Sequence, residues 1–349
     1  MKVKGRGTVD QPINRFAHQE YQSFDDGWYA EADIRKPKTT LHRDPSRKVV
    51  SRNKSPDLPF DRSINPYKGC EHGCIYCYAR PTHAYLDLSP GLDFETQIFY
   101  KPDAASLLRK ELENTNYQCK PIGLGTNTDP WQQAERKLGI TRNILDVLNQ
   151  FNHPVTIVTK STGIERDIDI LSIMAEKRQV LVNISICTLD EELSRRMEPR
   201  AASPSRKLRT IERLSKAGIP VGVIIGPVIP ILNDSDIERI LEQSSNMGAV
   251  FSHYIMLRLP FEVAPLFENW LDDHYPLKKD HIMNRVRDIR GGKLNQSNFG
   301  QRMHGQGIFA ELIENRFKRA WGYYNYQAEP ILDCKNFRNP NVPIQSQLF

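Results

Sequence analysis

VTIVTKSTGIERDIDILSIMAEKRQVLVNISIC, residues 155–187, is the stretch whose reading decides the fold. Its first and last segments, VTIVTKS (155–161) and VLVNISIC (180–187), are rich in β-branched residues and read as strands. Between them, DIDILSIMAEKR (167–178) spaces its apolar residues as a helix does. Strand, helix, strand over so short a span is the repeating unit of a parallel sheet covered by helices. In the second strand Asn183, Ser185 and Cys187 fall on one face, and Val182, Ile184 and Ile186 on the other. The apolar set should meet helices and the polar set should line an interior.

The same rhythm extends both ways. Upstream lie the strand-like PIGLGT (121–126) and the helix-like AERKLGITRNILDVLNQF (134–151). Downstream come SRKLRTIERLSKAG (205–218), a helix stopped by Gly218, and the strand VGVIIGPVI (221–229). DSDIERILEQSSNMG (234–248) follows, a helix with Asp234 as its N-cap, then the strand FSHYIMLRL (251–259). About six such βα units predict an α/β fold, a partial TIM barrel. In that architecture the chemistry gathers at the C-terminal ends of the strands. Those ends are residues 125–129, 159–162, 185–189 and 226–230.

Outside this core, residues 1–56 are polar and basic and read as an N-terminal arm with little structure of its own. The barrel is expected over 57–265, a helical extension over 266–330 and an extended tail over 331–349. The chain has 349 residues, 39% of them hydrophobic, with no run long enough for a membrane span and no apolar leader at its start. The expectation is a cytoplasmic protein. Its net charge is +6. Basic residues gather in the arm (Arg35, Lys36, Lys38, Arg43, Arg47, Lys48, Arg52, Lys54) and at Arg285, Arg287, Arg290 and Lys293, a pattern suited to DNA or RNA.

Three of the six cysteines crowd into Gly69-Cys70-Glu71-His72-Gly73-Cys74-Ile75-Tyr76-Cys77-Tyr78. Such crowding in a chain without secretory features points to metal rather than to disulfides. A four-iron cube normally takes four thiolates. Three on one loop leave one iron open to a small chelating molecule. Gly69 and Gly73 let the loop bend. Spacing alone also admits a zinc site completed by His72 or His83. Cys119, Cys187 and Cys334 are scattered.

The C-x3-C-x-aromatic-C pattern, with Tyr76 before the last cysteine, resembles the signature of radical S-adenosylmethionine (SAM) enzymes. The flanks resemble the spore photoproduct lyase-like, or DNA repair photolyase-like, branch. The stretches that carry this are residues 63–85, GTNTDPWQQAE (125–135), VTKS (158–161), NISI (183–186), EPRAASPSRKL (198–208) and GPVIPILND (226–234). The resemblance implies a [4Fe–4S] cluster on Cys70, Cys74 and Cys77, with SAM on the open iron. It also implies reductive cleavage of SAM to a 5′-deoxyadenosyl radical that takes hydrogen from a substrate. The electron donor would be of the flavodoxin or ferredoxin kind.

On that reading Thr126 and Asn127 form a hydrogen-bonding turn, Lys160 meets the methionine carboxylate and Ser185 the ribose. Ile224 and Ile225 pack near the adenine, and Tyr76 offers a backbone group beside the cluster. The branch places a cysteine hydrogen donor just after the second barrel strand. Here Leu124 and Gly125 stand there, so lesion-reversal chemistry of that kind is in doubt. Cys187 is the alternative donor, or else a small buried residue. Asp129 and Glu135 cap a helix, hold substrate or hold Trp131; Trp131 stacks a base or packs; and Arg200 and Arg206 pair Glu198 or reach substrate. The last residues, Gln345, Leu348 and Phe349, resemble a DNA sliding-clamp peptide. A protein or metabolite substrate stays open, since fold and cofactor do not fix substrate.

Overall fold

In the computed structural model, the residues described are 5–8, 10–16 and 37–339. The tail contact expected of Gln345, Leu348 and Phe349 lies outside them, as do Arg35 and Lys36. The strands, in chain order, are β1 (Thr40–Arg43), β2 (Val50–Arg52), β3 (Arg62–Ile64), β4 (Tyr67–Lys68) and β5 (Gln97–Tyr100). The remaining five are β6 (Ile122–Leu124), β7 (Val155–Thr159), β8 (Val180–Ile186), β9 (Val221–Val228) and β10 (Phe251–Met256).

Six of these, β3, β6, β7, β8, β9 and β10, run parallel in one sheet of order β10-β9-β8-β7-β6-β3, with β2 antiparallel at the β3 edge. This is the expected partial barrel. Helices on its outside are amphipathic for the ordinary reason. Ile140, Ile144, Leu145 and Leu148 form the buried stripe of Ile140–Gln150, and Ile237, Ile240, Leu241 and Ser244 that of Ile237–Asn246. They close on Val182, Ile184, Ile186, Val221, Val223 and Ile225, all in one continuous core. Each such side chain contributes about 1.5–3 kcal/mol of burial.

Several boundaries differ from expectation. The predicted helix over 134–151 is two, Glu135–Leu138 and Ile140–Gln150, because Gly139 turns into the left-handed region at φ 63°. Asp234 is not an N-cap. It opens a 3-10 turn, its carboxylate accepts from the Ile231 N–H at 2.7 Å, and the α-helix starts at Ile237. The arm is not without structure of its own. β1 pairs with β5, and β5 with β4, in a separate three-stranded sheet, while β2 extends the main sheet. Helix Val263–His274 spans the boundary expected at 265/266, and Lys279–Ile289 and Ile308–Tyr323 follow. The last described residues lie along the main body, where the Arg338 N–H donates to the Phe151 carbonyl at 2.9 Å. Among the described residues no helix is long and apolar enough to cross a membrane.

Candidate functional site

The cysteine loop leaves β4 and is shaped by buried polar contacts. Gly69 and Gly73 have φ of 80° and 66°, and a Cβ on Gly73 would stand 2.5 Å from Glu95 Oε2. Arg80, with no exposed surface, holds the turn from inside. Its guanidinium donates to the carbonyls of Cys74 (2.9 Å), Gly73 (3.2 Å) and Gly91 (2.9 Å) and pairs with Glu95 at 2.6 Å. Glu95 also accepts from the N–H groups of Gly7 (2.9 Å) and Thr8 (3.2 Å), so the start of the chain closes over the loop.

On the other side Glu71 accepts from the Ala134 N–H at 2.7 Å and from Thr39 at 2.8 Å. Gln132 bridges the Glu71 N–H (2.9 Å) and the Gly69 carbonyl (3.2 Å). The segment after β6 is therefore a buttress for the loop.

Backbone N–H groups of Asp129 and His72 point at the Cys70 sulfur, and those of Ala79 and Arg80 at Cys77. Burial pushes all three thiols up, opposed by the Lys160 charge at Cys74 and by Arg80 and Lys160 at Cys77. Three clustered sulfurs, inward N–H groups and nearby cations form a donor set that fits an iron–sulfur cluster with three protein ligands. The two histidines that could complete a zinc site are engaged elsewhere. His72 Nδ1 stands 3.5 Å from Asp129, and His83 Nε2 bonds the Gln97 carbonyl at 3.0 Å.

Beyond the loop, at the C-terminal ends of β7 and β8, Lys160 Nζ donates to Ser185 Oγ at 2.8 Å. The register places Ser185 beside Ile224 on β9, and Ile224 is part-buried on the open face. Asn183 shares that face, and its buried Oδ1 has no partner among the described residues. The structure thus brings Lys160, Ser185 and Ile224 together. Ile225 does not join them: strand alternation turns it into the helix-packed core.

Thr126 is part-buried. Its hydroxyl accepts from Asn65 at 3.3 Å, and its carbonyl accepts from the Tyr78 hydroxyl. Asn127 is exposed, with its N–H on Asn65 Oδ1 at 2.9 Å. Tyr76 is buried, and its hydroxyl donates to Glu198. Cys187 lies one residue past β8, 1% exposed, in a second apolar cluster with Cys74, Tyr76 and Met197.

Glu198 is the functional-site residue that sequence reasoning undervalued. It accepts from Tyr76 and from Lys207 (2.6 Å), and Lys160 is 3.9 Å away. Burial would raise its pKa, but the two ammonium groups and these hydrogen bonds overcome that and hold the carboxyl at about 2. The glutamate was expected to pair with Arg200 or Arg206. Instead Arg200 turns to Glu71 and Gln133, and Arg206 is exposed. Only a charge placed inside a helix-facing position, Lys207 on Pro204–Lys216, signalled this hub.

Of the two readings of Trp131, packing holds: it sits in the core with its indole N–H donating to Asp167 at 2.8 Å, so it is not a base-stacking residue at the mouth. Asp129 accepts from Thr159 (2.8 Å), the Lys160 N–H (2.7 Å) and the Trp131 N–H (2.9 Å), tying the ends of β6 and β7. Glu135 accepts from Tyr67, the Thr141 N–H (3.0 Å) and Arg166 (2.9 Å). Neither is a helix N-cap, and neither carboxylate is free for substrate. Arg290 belongs to no basic surface. It is 1% exposed and donates to the carbonyls of Met256 (2.7 Å), Leu257 (2.9 Å) and Arg302 (2.9 Å). Arg52 pairs with Arg62 at the N-terminal end of β3, away from the cysteine loop. Two open cavities of about 390 and 450 Å³, near Arg109 and near Lys48, are likewise apart from the loop.

Residues 64–243 match the Radical SAM superfamily model. An uncharacterized protein of Mycobacterium tuberculosis (strain ATCC 25618 / H37Rv) is 36% identical over 304 residues, covering 85% of each chain. One from Methanocaldococcus jannaschii is 24% identical over 241 residues, 69% of this chain and 86% of that one. Among solved structures, spore photoproduct lyase complexed with dinucleoside spore photoproduct aligns with a TM-score of 0.60 at 14% identity, over 83% of this chain and 81% of that one. A variant of that enzyme with bound AdoMet and the same dinucleoside aligns with a TM-score of 0.60 over 81% and 78%. At that identity the likeness is one of fold. The matched segment runs from the end of β3 to the helix after β9, a span that contains the cysteine loop, Lys160, Ser185 and Glu198: the chain belongs to the radical SAM superfamily and is an enzyme.

Proposed function

We propose that Cys70, Cys74 and Cys77 hold a [4Fe–4S] cluster, that SAM lies between it and the ends of β7–β9, and that the substrate is a nucleic acid. The observation that carries this is the placement of the buried three-cysteine loop beside the Lys160–Ser185 pair. When bound, cluster and SAM together supply a hydrogen-abstracting radical. The chain supplies the rest.

Lys160 stays protonated, since the carboxylate of Glu198 outweighs the effect of its burial. It presents its charge where a methionine carboxylate would sit. Ser185 meets the ribose, Ile224 flanks the adenine, and Thr126 and Asn127 offer the turn after β6. Tyr76 serves through its hydroxyl on Glu198 as well as through its place beside Cys77. Glu198 orients Tyr76 and Lys160 from below. We read Cys187 as packing, because it is fully buried between the Cys74–Tyr76–Met197 cluster and Glu198, with no open path to a substrate at its thiol.

Nucleic acid as substrate is supported by the net charge of +6 and by a fold shared with an enzyme solved with a dinucleoside. No thiol stands at the end of β6, which Leu124 closes and Gly125 follows, so the chemistry does not use a donor at that point. An electron donor of the flavodoxin or ferredoxin kind belongs to the same reading. So does sliding-clamp binding through Gln345, Leu348 and Phe349, which deletion of the last five residues would abolish in a pull-down.

The test is anaerobic incubation of the reduced holoprotein with SAM and with damaged DNA or cellular RNA. 5′-Deoxyadenosine should form, and Cys74→Ala should form none. Holoprotein that binds neither SAM nor any nucleic acid contradicts the proposal.

A further inference from the structure

Across the mouth of the barrel, Tyr78 reaches from the cysteine loop to two distant strand ends. Its hydroxyl donates to the Thr126 carbonyl, just beyond β6. Its ring lies under the Arg258 guanidinium, 4.7 Å from ring centroid to Cζ, just beyond β10. In the sheet β6 and β10 are separated by β7, β8 and β9, so this contact spans the opening. Tyr78 is 43% exposed despite following a cluster cysteine.

Arg258 differs from the other arginines near it. Arg290 satisfies its fork on backbone carbonyls, and Arg302 pairs with Asp57 at 2.7 Å. Arg258 is part-buried and, among the described residues, has neither a hydrogen bond nor an ion pair. The charged groups that face it are the cations Arg302 and Arg290 and one carboxylate, Asp57, already engaged by Arg302. With Arg290 buried behind them on backbone carbonyls, Arg258 and Arg302 face one carboxylate, which leaves this corner of the mouth with excess positive charge. Phe299, 57% exposed with the Arg302 guanidinium 5.0 Å from its ring centroid, adds a second open aromatic face.

A bidentate cation with no acceptor among the described residues, lying on the half-exposed Tyr78 ring, matches the two halves of a nucleotide: a phosphate for the fork and a base for the ring. A peptide would supply the ring partner only at some residues and the anion only at acidic ones. We propose that Arg258 is the phosphate anchor of a single-stranded or extruded nucleotide at the active-site mouth, with Tyr78 and Phe299 as stacking faces. This rests on the nucleic-acid reading above. The same site would favour unpaired over duplex substrate, because only an unstacked base offers its face.

The experiment measures binding of a fluorescent single-stranded oligonucleotide to the cluster-loaded holoprotein across a salt series, together with SAM affinity. Arg258→Ala should weaken oligonucleotide binding about tenfold or more and lower the log–log salt slope by about 0.7, one phosphate contact on a single strand. Arg258→Lys should restore most of the slope but less of the affinity, since a point charge replaces the fork. Iron content and circular dichroism establish that each variant is folded and loaded. If wild type binds oligonucleotides and Arg258→Ala binds them equally, the anchor is refuted while the nucleic-acid reading stands. If wild type binds none, both fall. If Arg258→Ala loses affinity for SAM instead, the residue belongs to the cofactor and the inference is overturned.

Discussion

Replacing Arg80 with Met removes the guanidinium around which the cysteine loop is folded. Arg80 and Glu95 are both without exposed side-chain surface, and their atoms meet at 2.6 Å. The substitution leaves the Glu95 carboxylate with only the Gly7 and Thr8 N–H groups, and it leaves the Gly73 and Gly91 carbonyls without this donor. Breaking a buried pair by removing one partner costs about 3–5 kcal/mol, because an uncompensated charge stays buried. We expect about 4 kcal/mol, a large share of the ~5–15 kcal/mol typical of a folded domain.

Arg80→Lys should lose about half as much, since it keeps charge but cannot reach Glu95 and the carbonyls together. The double variant Arg80→Met/Glu95→Gln should be less destabilised than the sum of its parts, with a coupling of about 2 kcal/mol or more. Urea unfolding under anaerobic conditions measures the stabilities, and iron per chain reports the loop. A loss under about 1 kcal/mol for Arg80→Met, or strict additivity in the cycle, would refute the idea that this pair shapes the loop.

Further outcomes follow from the same geometry. Lys160→Met should weaken SAM binding about tenfold or more by equilibrium dialysis, as expected for loss of a charge-assisted contact, and leave iron content unchanged. Glu198 is held at about 2 against an ordinary 4.5, so its contribution of about 3 kcal/mol is present above pH 4.5 and is lost as pH falls toward 2. The stability gap between wild type and Glu198→Gln in cluster-free protein should therefore close over that window; a gap independent of pH would contradict it. Gly73→Ala places a Cβ against Glu95 in a left-handed backbone, and should lower iron incorporation and cost about 2 kcal/mol in the same urea assay. Cys187→Ala should leave final product formation within about twofold, whereas loss of that product while 5′-deoxyadenosine still forms would restore it as a hydrogen donor to the substrate radical.

Much of this was legible in the chain. The alternation that separates Asn183 and Ser185 from Val182, Ile184 and Ile186 is local, and it placed both faces of β8 correctly. Strand ends followed from the same reading, so Lys160 and Ser185 fell where they meet. What escaped depends on partners far away in sequence. β3 has only three residues and β4 two, too short for any periodicity to register. Glu198 read as part of a turn because Lys207, Lys160 and Tyr76 come to it from three separate segments. Asp129, Glu135 and Trp131 sit just past a strand end, where functional groups are common, yet their partners Thr159, Tyr67 and Asp167 make them braces. Arg290 looked like surface charge until its carbonyl partners were in view.

The most direct measurement is metal and sulfide analysis of protein purified without oxygen, joined to electron paramagnetic resonance of the reduced form with and without SAM. The account predicts about four iron and four sulfide per chain. It also predicts a spectrum that shifts when SAM is added, with both lost in Cys74→Ala. Stoichiometric zinc with no iron, or a cluster whose spectrum ignores SAM, would contradict it.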